Sequence, residues 1–235
     1  MQSESSPKHS AYSALVSAIL TLRLTPGADL DEVRLGAEYG LSRTPMREVL
    51  RQLAGEGYVT LRQNRGAQVS EMSHTSLRAF FIAAPMIYSA VLQLAATHRT
   101  DDQINALRAA QDAFCAALGQ DSAAERALAN IQFHRVTGDM ADNLYLSPSF
   151  NRLLLDHARI SMTFYAPEDA GQAENIALAR DQHEAIIDAI VARNATEAGE
   201  LAIAHWHLSR NEIEKFVMPG ALDVPLGATP REQRA

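Results

Sequence analysis

Glycine is spread unevenly along this chain, and that constrains its organisation more than any other feature. Six of the twelve glycines fall between residues 27 and 66, and after Gly66 none recurs until Gly119. Glycine supplies tight turns and helix stops. The first third is therefore punctuated by turns, while the rest is free to run as long helices rich in Ala and Leu. The single cysteine, Cys115, excludes a disulfide framework and a cysteine zinc finger. No unbroken apolar run reaches the roughly 18 residues of a membrane span, and the opening MQSESSPKHS lacks the apolar core of a signal peptide. The expectation is a protein of the reducing cytoplasm with no membrane partner.

The spacing within the first third predicts three short helices and a hairpin. Ala11, Leu15, Ile19 and Leu22 recur at helical spacing over residues 10–22, and Pro26-Gly27 stops that helix. Asp29 or Asp31 can cap a second helix to about Tyr39, with Gly40 as its stop. Ser42 can cap a third, which tolerates Pro45 in its first turn and ends at Gly55 and Gly57. Residues 58–61 and 67–70 read as two short strands around a turn holding Arg62 and Arg65.

Charge is arranged to match. The net charge of −7 disfavours nucleic acid as a partner, yet residues 41–66 carry five arginines against Glu48 and Glu56. Met46, Val49, Leu50 and Leu53 share one face of the third helix, and Arg43, Arg47 and Arg51 the other. Two helices, a tight turn and a basic third helix followed by a hairpin form a winged helix-turn-helix pattern. A helix fits the major groove, and arginine bonds guanine O6 and N7 bidentately. By spacing alone, an ordinary solvated helix face is also compatible.

Residues 73–218 predict six helices: 73–97, with Pro85 bending or shifting it; 101–118; one opened by Ser122 and Glu125; one opened by Ser147-Pro148; 168–192; and 194–217. Short loops between long helices imply an antiparallel bundle. The chain thus divides into a disordered N-terminus (1–9), a winged helix-turn-helix domain (10–72), an all-helical domain (73–218) and a flexible tail (219–235). Within the bundle, Asn130 and His134 share a helix face, while His183 and His205 lie on two successive helices. Together they offer one oxygen and three nitrogens, a donor set of zinc, nickel or manganese. By spacing alone, such histidines are more often half-buried or capping residues.

The stretch Leu41-Ser42-Arg43-Thr44-Pro45-Met46-Arg47-Glu48-Val49-Leu50-Arg51-Gln52-Leu53, with Glu56-Gly57-Tyr58-Val59 and Arg65-Gly66-Ala67-Gln68-Val69, resembles the signature of the GntR family of bacterial transcription regulators. The resemblance implies DNA contacts at Ser42, Arg43, Thr44 and Arg47, with Arg65 and Gly66 at the wing. Where the family usually has a Glu-Arg pair in the second helix, this chain has Glu32-Val33, with Arg34 next. The segments 130–146 and 183–190, with His205 further on, resemble the FCD ligand-sensing domain of the FadR subfamily. There, an Asp or Asn and three His hold a divalent metal, at positions matching Asn130, His134, His183 and His205. His207 is expected to face elsewhere. The first bundle helix lacks the Arg and Glu common in that domain, which offers Tyr88 as a pocket residue, with Arg159 and Tyr165 as further candidates.

The expectation is a homodimeric regulator, most simply a repressor. It binds a palindromic operator and is controlled by a small organic acid at a pocket containing zinc or nickel, with manganese as a further possibility. It is not an enzyme. The alternatives are a metal-dependent hydrolase using the histidines, for which no HExxH motif is present, and a helical regulator without metal.

Overall fold

The structure is a computed structural model and describes residues 6–62, 66–167 and 170–217, of which 211–217 are described by backbone alone. The first helix, α1 (Pro7–Leu20), is capped by Ser6 Oγ, which accepts from His9 N at 3.3 Å, and starts ahead of the expected residue 10. Residues 7–9, expected to be disordered, are its first turn. The tail expected from residue 219 lies outside the described residues.

The winged part follows with β1 (Asp29–Leu30), α2 (Glu32–Tyr39), α3 (Arg43–Gly55), β2 (Val59–Arg62) and β3 (Gly66–Val69). Asp31 caps α2 through Arg34 N at 2.7 Å, and Gly40 ends it in the left-handed conformation at φ 65°. The sheet is antiparallel in the order β1-β3-β2, with Leu61 opposite Ala67 and Leu30 opposite the same Ala67. The sequence reading missed β1. Gly66 sits at φ 77°, and a Cβ there would stand 2.5 Å from the Leu30 carbonyl oxygen. The wing glycine is therefore required by the sheet itself. Leu30, Met46, Val49, Leu50 and Leu53 are buried together, so the apolar face of α3 packs inward and its arginines face out.

The bundle comprises α4 (His74–His98), α5 (Asp101–Leu118), α6 (Ala123–Ala141), α7 (Ser147–Phe164), α8 (Ala170–Val191) and α9 (Ala195–Val217). Caps occur where the sequence placed them, with Ser73, Ser122 and Asn194 each accepting from a backbone N–H three residues on. A reciprocal box between Thr100 and Gln103 opens α5. α4 runs through Pro85 as one continuous helix, packed chiefly against α9 and α6. By length and a mean hydropathy of 1.8, α4 is the one helix among the described residues that passes the test for a membrane span, although its inner face lies in the bundle core.

Candidate functional site

In the winged helix-turn-helix part, Ser42, Arg43, Thr44 and Arg47 are all exposed along the N-terminal half of α3. Ser42 occupies the N-cap position with extended backbone, yet its hydroxyl makes no capping bond. The first-turn amides of α3 are thus left open, which suits a phosphate oxygen. Arg43 makes no ion pair among the described residues, whereas Arg47 is held bidentately by Glu32 of α2 at 2.8 and 3.1 Å. In the wing, Arg62 reaches Asp29 at 3.5 Å and also bonds Gln68 Oε1. Arg65 lies outside the described residues.

In the bundle, α6, α8 and α9 bring His134, His183 and His205 together, with one ligand-capable atom from each lying within 4.8 Å of the others. Asn130 sits one turn before His134, and all four side chains are buried. Asn130 Oδ1, His134 Nε2 and His183 Nε2 have no hydrogen-bond partner. Buried polar atoms rarely go unsatisfied; His134 and His183 belong to the histidine group, and Asn130 lies one turn before His134 on α6. The Nδ1 atoms of His183 and His205 are engaged. Gln111 Nε2 donates to Glu184 Oε1 at 2.8 Å and to Arg180 O at 3.3 Å, so its Oε1 must face His183 and accept from Nδ1–H at 3.0 Å. That fixes a lone pair on His183 Nε2. His205 Nδ1 lies 3.0 Å from Gln182 Oε1, leaving its Nε2 as the acceptor in the same way. The His183 ring stacks on Phe133 at 3.8 Å and meets Phe114 at 4.9 Å.

Burial keeps this cluster neutral. Desolvation, reinforced by the neighbouring imidazoles, pushes His134 and His183 well below the ordinary histidine range. It pulls His205 down to about 4 and His157 to about 3. Neutral imidazoles with outward lone pairs, oriented by amide partners, are what a divalent ion requires. The donor set therefore fits such an ion. The adjoining cavity, lined by Tyr88, His134, His157, His205 and Trp206 among others, holds about 10 Å³ of water-accessible space, about that of one water molecule.

Residues 86–208 match the FCD domain, and residues 7–69 match bacterial regulatory proteins of the gntR family. The chain belongs to the GntR family, with the FadR-like pairing of reading head and FCD domain. It is 28% identical over 196 residues, 81% of each chain, to a probable D-xylose utilization operon transcriptional repressor of Paenarthrobacter nicotinovorans. It is 32% identical over 83 residues to the Nta operon transcriptional regulator of Aminobacter aminovorans, spanning 40% of that protein's length. The fold matches E. coli McbR/YncC with a TM-score of 0.72 at 16% identity, covering 91% of this chain and 98% of that one. A GntR regulator belongs to a non-enzyme class.

Within this GntR chain, the structure redistributes two of the three expected pocket residues. Tyr88 lines the cavity, and its hydroxyl lies 2.7 Å from His157 Nδ1. Arg159 does not line it. Its fully buried guanidinium donates to Ser70 O at 3.0 Å, in the segment joining wing to bundle, and pairs with Asp156 at 3.5 Å. Tyr165 packs instead in a separate cluster with Phe114, Phe164 and Ile176. His207 is exposed, as expected. The sequence reading left His157 out of the site, although its ring centroid is 4.9 Å from that of His134. Gln111 and Gln182 were also missed. Nothing in a lone glutamine signals an orienting role.

Proposed function

We propose that this chain is a homodimeric transcriptional repressor whose grip on a palindromic operator is set by a small organic acid bound beside a divalent ion. One observation carries the ion: three buried imidazoles within 4.8 Å, two of their nitrogens and Asn130 Oδ1 being without partners. Asn130, His134, His183 and His205 would hold it, with zinc or nickel preferred by the nitrogen-rich set and manganese less well served. When bound, such an ion supplies a positive charge and an open position to an anionic oxygen. All four protein donors are neutral, so a carboxylate is the natural complement. With space for a single water beside them, effector entry requires side chains lining the cavity to move. A hydrolase reading lacks support, since no carboxylate joins the histidine group among the described residues.

Ser42, Arg43, Thr44, Arg47 and Gly66 would contact DNA, with Arg65 completing the wing. Pairing of two chains is supported by α4, whose outer face exposes Ile82 (62%) and Met86 (70%) one turn apart. Two reading heads related by a two-fold axis call for a palindrome. Repression is supported by the names of relatives such as the probable xylose-operon repressor. A cytoplasmic location follows from acting on the chromosome.

Elemental analysis of protein purified without a metal-affinity tag tests the ion. About one zinc or nickel per chain is expected, falling sharply in His134→Ala. A content below about 0.2 per chain, unchanged by that substitution, would make the four residues structural. Titration of chelated and loaded protein with organic acids tests the effector class, and a mobility shift on upstream DNA tests the operator.

A further inference from the structure

The reading head exposes two aliphatic side chains that its own core does not use. Val33 in α2 is 52% exposed and Leu61 in β2 is 48% exposed. Both line one groove of about 530 Å³ between α2, α3 and the wing, edged by Arg47, Arg51 and Arg62 and by the carboxylates of Asp31 and Glu32. Leu61 pairs with Ala67, which is fully buried and pairs in turn with the buried Leu30. Leu61 thus continues the inward-facing row of the sheet past the point where the core ends. Arg34 opens onto a different groove with Asp29, Asp31 and Arg62, so it does not replace a cation at Val33. The charges around the apolar pair are partly answered within the protein, Arg47 by Glu32 at 2.8 Å and Arg62 by Asp29 at 3.5 Å. The result is an aliphatic floor with a rim of three arginines and two carboxylates, beside the Arg47 side of α3.

Cations at the rim suit phosphates, but the floor offers no donor or acceptor to a base edge. The one apolar group on a major-groove edge is the C5-methyl of thymine. We propose that Val33 and Leu61 are specificity-determining residues that read thymine, burying its methyl group in this groove once in each half-site. This rests on the DNA-binding reading above. Selection of T·A here would come from burial of a methyl group, in place of a bidentate bond to guanine.

The test uses the full chain. A random duplex pool is enriched for bound sequences, and the selected operator is then synthesised with each thymine in turn replaced by deoxyuridine. Uracil keeps every hydrogen bond to adenine and lacks only the methyl. Affinity should fall about fourfold at one thymine of a half-site, and about 15-fold with both half-sites changed, the worth of one buried methyl each. Val33→Ala and Leu61→Ala, both at exposed positions, should bind the thymine operator more weakly and lose the thymine-over-uracil preference. Uracil tolerated at every position, as an aliphatic contact to deoxyribose would give, overturns the inference. So does full discrimination retained in both variants. A chain that enriches no sequence overturns the DNA-binding reading and this inference with it; one that enriches a sequence but ignores uracil overturns the inference alone.

Discussion

The arginines of α3 and the histidines of the bundle are both groups a folded chain must satisfy, and the two halves of the molecule treat them in opposite ways. The α3 arginines stand in water, where charge is hydrated and screened within about 8–10 Å. They suit a large polyanion that brings its own charge. The bundle histidines are desolvated, held neutral, and gathered with ligand-capable atoms within 4.8 Å of one another. That arrangement suits a small cation and little else. The first site is made by leaving charge outside, and the second by removing water from bases that do not need to be charged.

Arg159 belongs by residue type to the first region and by environment to the second. Its guanidinium is fully buried, and it holds Ser70 O while paired with Asp156. Arg152, two turns earlier on α7, donates to Gly57 O and lies 3.9 Å from the same Asp156. His157, between them in sequence, faces the histidine cavity. α7 therefore touches the candidate effector site with one side and the backbone flanking the wing's strands with another. The largest effect should come from breaking this joint. Asp156→Ala strands the Arg159 charge in the interior and should lower unfolding free energy by about 3–5 kcal/mol, measured by urea titration. A loss under about 1 kcal/mol would mean that the buried arginine behaves like its exposed counterparts on α3.

The second effect separates the regions by pH. Above about pH 6.5 the folded and unfolded chains both carry the bundle histidines neutral, and stability owes nothing to their titration. Below that, the unfolded chain takes up protons that the fold refuses, down to about pH 4 at His205 and about pH 3 at His157. Stability therefore falls as pH falls through this window, on the order of 3 kcal/mol from His205 alone. The urea midpoint of metal-free protein should drop from pH 7 to pH 4.5 and stay nearly flat from pH 7 to pH 8. A flat profile across the acid range would show that the cluster is hydrated.

The two regions were also unequally legible in the sequence. The reading head is built from local signals, such as Asp31 and Gly40 at the ends of α2, and these read through directly. Its two-residue β1 did not, because it exists only by pairing with β3 some forty residues on. The bundle's helices and caps were equally local. What each helix face meets is not. His157 and Arg159 are two residues apart and so project roughly 200° from each other, which sends one to the cavity and the other to Ser70. Sequence spacing fixes that divergence but not which side is inward. Tyr165 fell to the same limit. Asn130, His134, His183 and His205 were found through family resemblance, whereas their orienting partners Gln111 and Gln182 come into register only in three dimensions.

On the exposed side, effects should be readable in DNA affinity and nearly silent in stability. Among the described residues Arg43 has no ion pair to give up, while Arg47 must be shared with or released by Glu32. Arg43→Ala should weaken operator binding roughly 5- to 150-fold, and Arg47→Ala by less. Both effects should shrink as salt rises. Equal, salt-independent losses measured by fluorescence anisotropy would remove the distinction between the free and the paired arginine.

The smallest predicted change is the most discriminating. A serine at an N-cap ordinarily stabilises its helix, and replacing it with alanine costs about 1 kcal/mol. Ser42 occupies that position at α3 but makes no capping bond, whereas Ser73, Ser122 and Asn194 in the bundle all make theirs. Ser42→Ala should therefore leave the urea midpoint almost unchanged, while Ser122→Ala lowers it by the usual amount. The Ser42 hydroxyl and the open amides behind it are free for a phosphate oxygen, so the same substitution should weaken DNA binding about equally across operator sequences, since a phosphate contact positions without reading bases. If Ser42→Ala instead destabilised the fold as Ser122→Ala does, the hydroxyl would be capping α3 in solution. The helix end would then be satisfied from within the protein, and the contrast between an idle N-cap facing DNA and working N-caps in the bundle would not hold.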